Sequence, residues 1–318
     1  MEKLLLRRRV TVVVGLLLVL IPIFIYAQYK QLQTVRARLG TDDWRLWTEQ
    51  LIVDNENRLA ASRLPDEWRR WLVIRNAQLR AYLAHDVDPN APGAPGFVRS
   101  FMEAGMPLFV PLFVLIVGSD LASGERTLGT LRGLYAQPVG RMKLALAKIA
   151  ALILSVGSIL LIIVLVAYAL SGLVFGYRGW TVPQLVGFRL EGETLDVSGV
   201  RLVPQWQYVL MLYGLGWWAS TVVGLITFFV SSLVRTTAAG MGIVFALLLT
   251  GSVLSNYASS WQAAKWLFST NLDLGTFLSG LMPPIEGLTA RFALLNLTAW
   301  GAAALLLSFW RWMRQEAE

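Results

Sequence analysis

One polar stretch of the chain, residues 118–148, combines acidic, basic and hydroxyl side chains with a proline between apolar segments. Between Asp120 and Leu134, the leucines at 121, 128, 131 and 134 fall near one face of a helix, which predicts a short amphipathic helix. Pro138 fixes the backbone and ends that helix. Residues 141–148, which hold three basic side chains, then begin the next apolar segment. Physics alone predicts a short amphipathic helix, a rigid turn and a basic return to the membrane, which together form a basic loop beside the bilayer.

Few residues of the chain could perform catalysis. A phosphate-binding loop needs a Gly-Lys pair, and none occurs, so ATP hydrolysis is expected on another chain. There are no cysteines, and the single histidine, His85, lies beside Asp86 and Asp88 in a proline-rich turn. That trio reads as a solvated loop, with a metal site as the weaker alternative. We therefore predict no catalytic, cofactor-binding or metal-binding residue, and no enzyme.

The elements that position the polar stretch are apolar segments of membrane-spanning length. Hydrophobic residues make up 56% of the 318 and charged residues 15%, whereas soluble domains carry about 25% charged residues. A spanning helix needs roughly 20 apolar residues. Six segments qualify, at 10–27, 101–119, 149–175, 208–234, 238–254 and 292–310.

The distribution of basic residues predicts the orientation of these spans. Twelve Lys and Arg lie in short segments on the side of the N-terminus and five on the other, and eleven lie in the long segment 30–99, which is not counted. Both termini are therefore expected in the cytoplasm of a cell-membrane protein. The net charge of +8 follows the span ends rather than one basic face, which favours membrane lipid and excludes nucleic acid. Tryptophans near span ends, Trp312 among them, are expected at the lipid headgroups.

Residues 29–98 are expected to form a folded extracytoplasmic insertion. One amphipathic helix is predicted after Thr41-Asp42-Asp43 and another from Pro65, before a proline- and glycine-rich linker at 88–96. The predicted parts are thus residues 1–28 (N-terminus and first span), 29–98 (insertion) and 99–318 (five-span core with loop 119–148). The fold class is all-α integral membrane, with six transmembrane helices and a helical insertion between the first two.

Three further features concern the core. Alternation across 188–203 predicts a small hairpin, and the apolar loop 255–291 predicts short helices. Pro107 and Pro111, in the second span, each remove a backbone donor and favour a kink. That kink is either a packing irregularity or a hinge or gate. The interiors of the six predicted spans hold no ionisable residue, and Glu103, at the entrance of the second, is the nearest.

The polar stretch resembles the Ser-x-Glu-x-x-x-Gly-Thr-Leu…Pro-Val-x-Arg…Lys signature of type-2 ABC transporter permeases. Gly133 and Gly140 depart from the pattern, which usually has a leucine and a serine or lysine there. Six spans with an apolar outer loop before the last extend the resemblance over most of the chain. The matching residues are Ser123, Glu125, Gly129, Thr130, Leu131, Leu134, Gln137, Pro138, Val139, Arg141 and Lys148.

The resemblance implies a permease subunit of an ATP-driven exporter, working as a homo- or heterodimer with cytoplasmic ABC ATPase subunits that hold ATP and magnesium. It also implies that loop 119–148 couples ATP hydrolysis to transport. Because no charged groups line the predicted spans, a hydrophobic or amphipathic substrate is favoured. The residues expected at the ATPase-coupling site are Glu125, Arg126, Gly129, Thr130, Arg132, Gln137, Pro138 and Arg141.

Two other classes of function remain at this point. An ion-coupled secondary transporter normally places ionisable residues inside the bilayer, and a membrane receptor or scaffold needs no transport path. Binding of an ATPase subunit distinguishes the permease from both.

Overall fold

The computed structural model describes residues 8–41, 43–60, 64–127, 140–191, 194–234, 236–257, 260–283, 285 and 287–314. Within these ranges the chain is mainly helical. The helices are α1 (Arg8–Leu39), α2 (Trp44–Leu59), α3 (Asp66–Ala84), α4 (Ala94–Gly105), α5 (Phe109–Thr127), α6 (Arg141–Phe175), α7 (Gln205–Leu233), α8 (Thr237–Tyr257), α9 (Gly275–Ser279) and α10 (Ala290–Arg314).

Five helices, namely α1, α6, α7, α8 and α10, are long and apolar enough to cross a membrane, so the chain is an all-α integral membrane protein. The predicted count of six is reached only when α4 and α5 are taken together as one span. Most helices differ from the predicted spans by a few residues at their ends, and α1 shows the largest difference at a C-terminal end. Helix α1 runs on to Leu39, twelve residues beyond the predicted end at Ala27, because hydropathy detects the apolar run and not its polar helical continuation. Helix α6 begins at Arg141, where the basic re-entry was expected.

The second predicted span is broken between α4 and α5, whose axes differ by 70°. The break spans Met106–Leu108, so the predicted kink is confirmed, with Pro107 inside it. Pro111 lies in the first turn of α5, where the missing donor costs no intrahelical hydrogen bond. Helix α4 begins at Ala94, inside the predicted linker, because Pro95 is also tolerated in a first helical turn.

Helix α7 is the central span. It packs against α4, α5, α6, α8 and α10. In the most apolar stretch of α7, 61% of the residues are buried inside the protein, whereas the corresponding share in α1 is 22%. Gly224 lets α5 and α6 approach it closely, since a Cβ there would lie 3.3 Å from Val114 Cγ1 and 3.2 Å from Leu152 Cδ1. Helix α1 instead packs against α6 and α5, at the outside of the bundle, and exposes more apolar surface.

The two predicted insertion helices are present as α2 and α3. The Asp43 side chain caps α2, and Pro65 precedes α3. The buried Asn55 side chain donates to Asn76 Oδ1 at 2.8 Å, which joins the two helices. Helix α3 also contacts the core, because Gln78 Nε2 donates to the Ser279 carbonyl. The insertion is therefore attached to the bundle through buried polar contacts.

The predicted hairpin and the predicted short helices are both present. Strands β1 (Pro183–Val186) and β4 (Arg201–Pro204) pair antiparallel, as do β2 (Arg189–Glu191) and β3 (Thr194–Asp196). Between the two ladders Gly187 has a φ of 95°, and a Cβ there would lie 2.4 Å from the Gly199 carbonyl oxygen. The loop after α8 contains two 3₁₀ helices, Gln262–Trp266 and Phe268–Asn271, followed by α9.

Candidate coupling site

The predicted coupling residues lie between α5 and α6, at one end of the bundle, here called the loop end. Helix α5 continues from its apolar part through Asp120 to Thr127, so the first part of the predicted amphipathic helix is an extension of the span. Gly140 precedes α6 as its N-cap. The backbone at Glu125 and Arg126 is helical and Arg141 is the first residue of α6, but their side chains lie outside the described part. Gly129, Thr130, Arg132, Gln137 and Pro138 lie wholly outside the described residues.

Lys148 joins the two sides of this loop. Its Nζ donates to the Leu121 carbonyl oxygen at 3.1 Å, 27 residues earlier in α5. The same Nζ lies 4.7 Å from the ring centroid of Trp312, near the end of α10. Lys148 is only 8% exposed. A buried ammonium is costly without hydrogen-bond and charge partners, so these contacts hold α5, α6 and α10 in one arrangement.

An aromatic cluster surrounds the lysine. The Trp312 and Phe228 rings stack with centroids 6.5 Å apart, and both are buried together with Ala145 and Leu152. The expectation that Trp312 lies at the lipid headgroups is therefore wrong: it is 3% exposed and packs inside the bundle. The cluster joins α6, α7 and α10.

A second contact fixes the end of α10 at the same place. Arg311 Nε donates to the Ser232 carbonyl oxygen at 3.0 Å, in the last turn of α7. Carbonyls in the last turn of a helix have no intrahelical partner, so the guanidinium completes the end of α7. Four helices, α5, α6, α7 and α10, thus meet at the loop end of the bundle.

Ionisable residues are present in the bent pair α4–α5: Glu103, which was expected at the entrance of the second span, and Arg99, which was not expected in a span. The buried Arg99 donates from Nη2 to the Pro89 carbonyl oxygen at 2.6 Å and from Nη1 to Gln184 Oε1. The Tyr208 hydroxyl donates to Glu103 Oε1 at 2.8 Å. The prediction of spans free of ionisable residues missed Arg99 because it began the second span seven residues too late.

The three residues weighed as a metal site have separate partners. His85 Nδ1 lies 2.9 Å from the Ala81 carbonyl oxygen, Asp86 pairs with Arg45, and Asp88 accepts from the Asn90 amide. No group of three or more metal-ligating side chains is found among the described residues.

Comparison with known proteins agrees with this architecture. A family model described as "ABC-2 family transporter protein" matches residues 3–317, nearly the whole chain. A search of curated proteins finds no match. The matched range includes the insertion, the loop and all the helices described above.

Proposed function

As a member of the ABC-2 family of transporter proteins, this chain is a membrane permease of an ABC transporter, and we propose that it serves an exporter whose ATPase is a separate chain. The ATPase would hold ATP and magnesium, and this chain would hold no cofactor. Two permease subunits, identical or different, would enclose the path, with both termini in the cytoplasm and the spans in the cell membrane.

The contact of Lys148 with Leu121 and Trp312 is the observation that best supports coupling through loop 119–148. If an ATPase moves the loop, that motion must be transmitted to the spans through a rigid contact between helices. The lysine links the α5 side of the loop to α10, and the Phe228 ring adds α7, the central span. A displacement of the loop would therefore act on four helices together.

The proposed contact surface for the ATPase is polar and follows the loop. Glu125 and Arg126 are on the helical extension of α5, and Arg141 begins α6. Arg132 and Gln137 lie between them in the sequence. The supporting roles of Gly129, Thr130 and Pro138 would be to shape the turn.

We further propose that the break at Pro107 is the hinge about which α5 moves. A helix interrupted at one short segment can rotate on either side of it, whereas a packed continuous helix moves as one body. Pro111, in the first turn of α5, would help to keep the break in place. Replacing Pro107 with alanine should lower transport while leaving ATPase binding unchanged.

Exchanging charges in the loop tests the docking proposal. The chain would be purified from its native membrane as Glu125→Lys and Arg141→Glu, and the amount of bound ATPase measured. The matched control is Arg201→Glu, an exposed arginine in strand β4 at the far end of the bundle. We expect both loop variants to lose most of the ATPase and the control to retain it. Retention by all three variants would rule out docking at this loop.

The Glu103–Tyr208 contact is the observation that favours the ion-coupled alternative, since buried ionisable pairs in spans often serve proton relays. The substrate of the exporter is proposed to be hydrophobic or amphipathic, because the spans expose mostly apolar surface. Transport into inverted vesicles distinguishes the two functions: an exporter needs ATP and is blocked by vanadate, whereas a secondary transporter is blocked by an uncoupler and ignores vanadate. A receptor or scaffold would transport under neither condition.

A further inference from the structure

A cavity of about 540 Å³ lies between the insertion and the core, at the end of the bundle away from the coupling loop. Its volume is in the range of small-molecule sites, roughly 300–1,000 Å³. The walls come from the first turns of α3, the break between α4 and α5, the end of α8 and the loop after it. The described lining residues are Trp68, Trp71, Pro107, Ser252, Ser255, Asn256, Ser269, Thr270, Asp273, Met282 and Pro283.

Asp273 gives this cavity its charge. It is the one acidic residue among the described lining residues, and no lysine or arginine is among them. The Thr276 hydroxyl donates to Asp273 Oδ2 at 2.6 Å, but within the described part of the chain the carboxylate has no ion pair. Burial raises the pKa of Asp273 above its ordinary value of 3.8, and the nearby charge of Glu103 raises it further, against the hydrogen bonds from Thr276. Among the described lining residues, then, nothing cationic neutralises the Asp273 carboxylate.

Two tryptophans form the aromatic wall. The Trp68 and Trp71 rings meet edge to face, with centroids 6.1 Å apart and planes at 63°. Trp68 is 59% exposed and Trp71 39%, so part of each ring remains accessible to a ligand. The negative face of an indole ring attracts an organic cation, most strongly where water is excluded.

One polar side chain that lines the cavity is also available. Asn256 donates from Nδ2 to the Ser252 carbonyl oxygen at 2.7 Å, which leaves its Oδ1 as an acceptor. This oxygen suits the polar part of a ligand whose cationic part contacts the tryptophans.

We propose that this cavity, here called the outer cavity, binds an organic ammonium group between the Trp68–Trp71 pair and the Asp273 carboxylate. The combination of exposed aromatic faces, one uncompensated carboxylate and no basic residue selects a cation over an anion. A second cavity of about 800 Å³ has the opposite character, because Arg70 and Arg189 line it and no acidic residue does among those described. The inference does not depend on how the permease is driven, since binding is measured without the ATPase.

Choline and its neutral isostere 3,3-dimethyl-1-butanol separate the charge from the shape of the ligand. The full chain would be purified in an uncharged maltoside detergent and titrated with each compound by calorimetry. We expect saturable binding of choline, and binding of the neutral isostere weakened by about tenfold or more, which corresponds to roughly 1.4 kcal/mol. Equal binding of the two compounds, or binding of neither, would overturn the proposal.

Two variants locate the binding to this cavity. Asp273→Asn should weaken choline binding about tenfold and reduce the preference over the isostere to the few-fold that the tryptophan faces supply. Trp68→Leu should weaken it about threefold to fivefold, as expected for one exposed cation–π contact. The matched control, Asp196→Asn, removes an exposed carboxylate in strand β3 and should bind choline as the unaltered chain does. Unchanged binding by both Asp273→Asn and Trp68→Leu would refute the site. If Asp273→Asn fails to fold, Trp68→Leu and the isostere decide the question.

The ammonium group could belong to a lipid headgroup or to a free cation, and lipid discs distinguish the two. Choline would be titrated into the full chain in discs of phosphatidylcholine and in discs of phosphatidylglycerol. Weaker choline binding in phosphatidylcholine means that the headgroup competes for the outer cavity. Equal affinity in both discs assigns the cavity to a free cation.

Discussion

Replacing Lys148 with methionine tests whether the loop end acts as one mechanical unit. Methionine keeps the length and apolar stem of the side chain but removes its charge and its hydrogen bond to the Leu121 carbonyl. A hydrogen bond from a charged group contributes about 1.5–3 kcal/mol, and a largely desolvated cation–π contact about 2 kcal/mol or less. Relief of the buried ammonium's desolvation offsets part of this loss. We expect a net destabilisation of about 2 kcal/mol.

Thermal unfolding in detergent measures this change. At about 2–4 °C per kcal/mol for a protein of this size, Lys148→Met should lower Tm by about 4–8 °C. The matched control is Lys143→Met, five residues earlier on α6, where the side chain is exposed. The control should change Tm by no more than about 1–2 °C.

A double-mutant cycle with Trp312→Leu isolates the contact between the ammonium and the ring. The interaction energy should be about 0.5–2 kcal/mol. In the proposed exporter, Lys148→Met should still bind the ATPase but should lose substrate-stimulated ATP hydrolysis, because the docking residues remain and the link to α10 does not. Additive effects of the two substitutions, within about 0.3 kcal/mol, together with a Tm equal to that of Lys143→Met, would refute the reasoning.

Three further predictions concern other parts of the chain. Gly224→Val should lower the free energy of unfolding by about 1–3 kcal/mol, because the new side chain overpacks α7 against α5 and α6. Gly214→Val is the control on the same helix: no atom lies within 4 Å of a new Cβ there, so the loss should be less than about 1 kcal/mol. Thermal unfolding compares the two variants, and equal losses would contradict close packing at Gly224. Arg99→Met should cost about 3 kcal/mol because buried acceptors lose their donor, whereas Arg80→Gln, which breaks an exposed ion pair, should cost less than about 1 kcal/mol. Because the pKa of Asp273 is raised in the folded chain, ionisation of its carboxyl destabilises the fold above that pKa, and protonation relieves this. The Tm of ligand-free Asp273→Asn should therefore exceed that of the unaltered chain at pH 8, and the gap should narrow as the pH falls through the folded-state pKa of Asp273. A gap that widens on acidification would contradict the raised pKa.

Local signals in the sequence were sufficient for the insertion helices and the hairpin. Asp43 caps α2 and Pro65 precedes α3, and both act on the backbone within a few residues. The same kind of signal gave a wrong prediction at the start of α4. Pro95 and Gly96 were assigned to a linker, but both residues lie in the first turn of this helix, where proline is tolerated. Hydropathy located the spans but not the polar end of α1, which carries no apolar signal.

Contacts between distant segments could not be predicted. Nothing near Lys148 in the sequence identifies Trp312 as its aromatic partner, and the position of Trp312 beside a span end suggested lipid instead. Asp273 was missed for a similar reason, since it lies in a loop that reads as apolar. A lone acid between Leu272 and Leu274 is nevertheless a signal, because a charge flanked by buried leucines must find a polar environment.

The partners of Arg99 also constrain the order in which the chain can mature. The guanidinium is on α4, yet Gln184 and Tyr208, which hold and cover it, are synthesised 85 and 109 residues later. Until those residues emerge from the ribosome, a helix about to enter the bilayer carries a charge without its final partners. Arg99 must meanwhile stay hydrated at the membrane surface, so α4 can settle only after the hairpin and α7 have been delivered. A chain that stalls between those two points would present Arg99 without Gln184 and Tyr208.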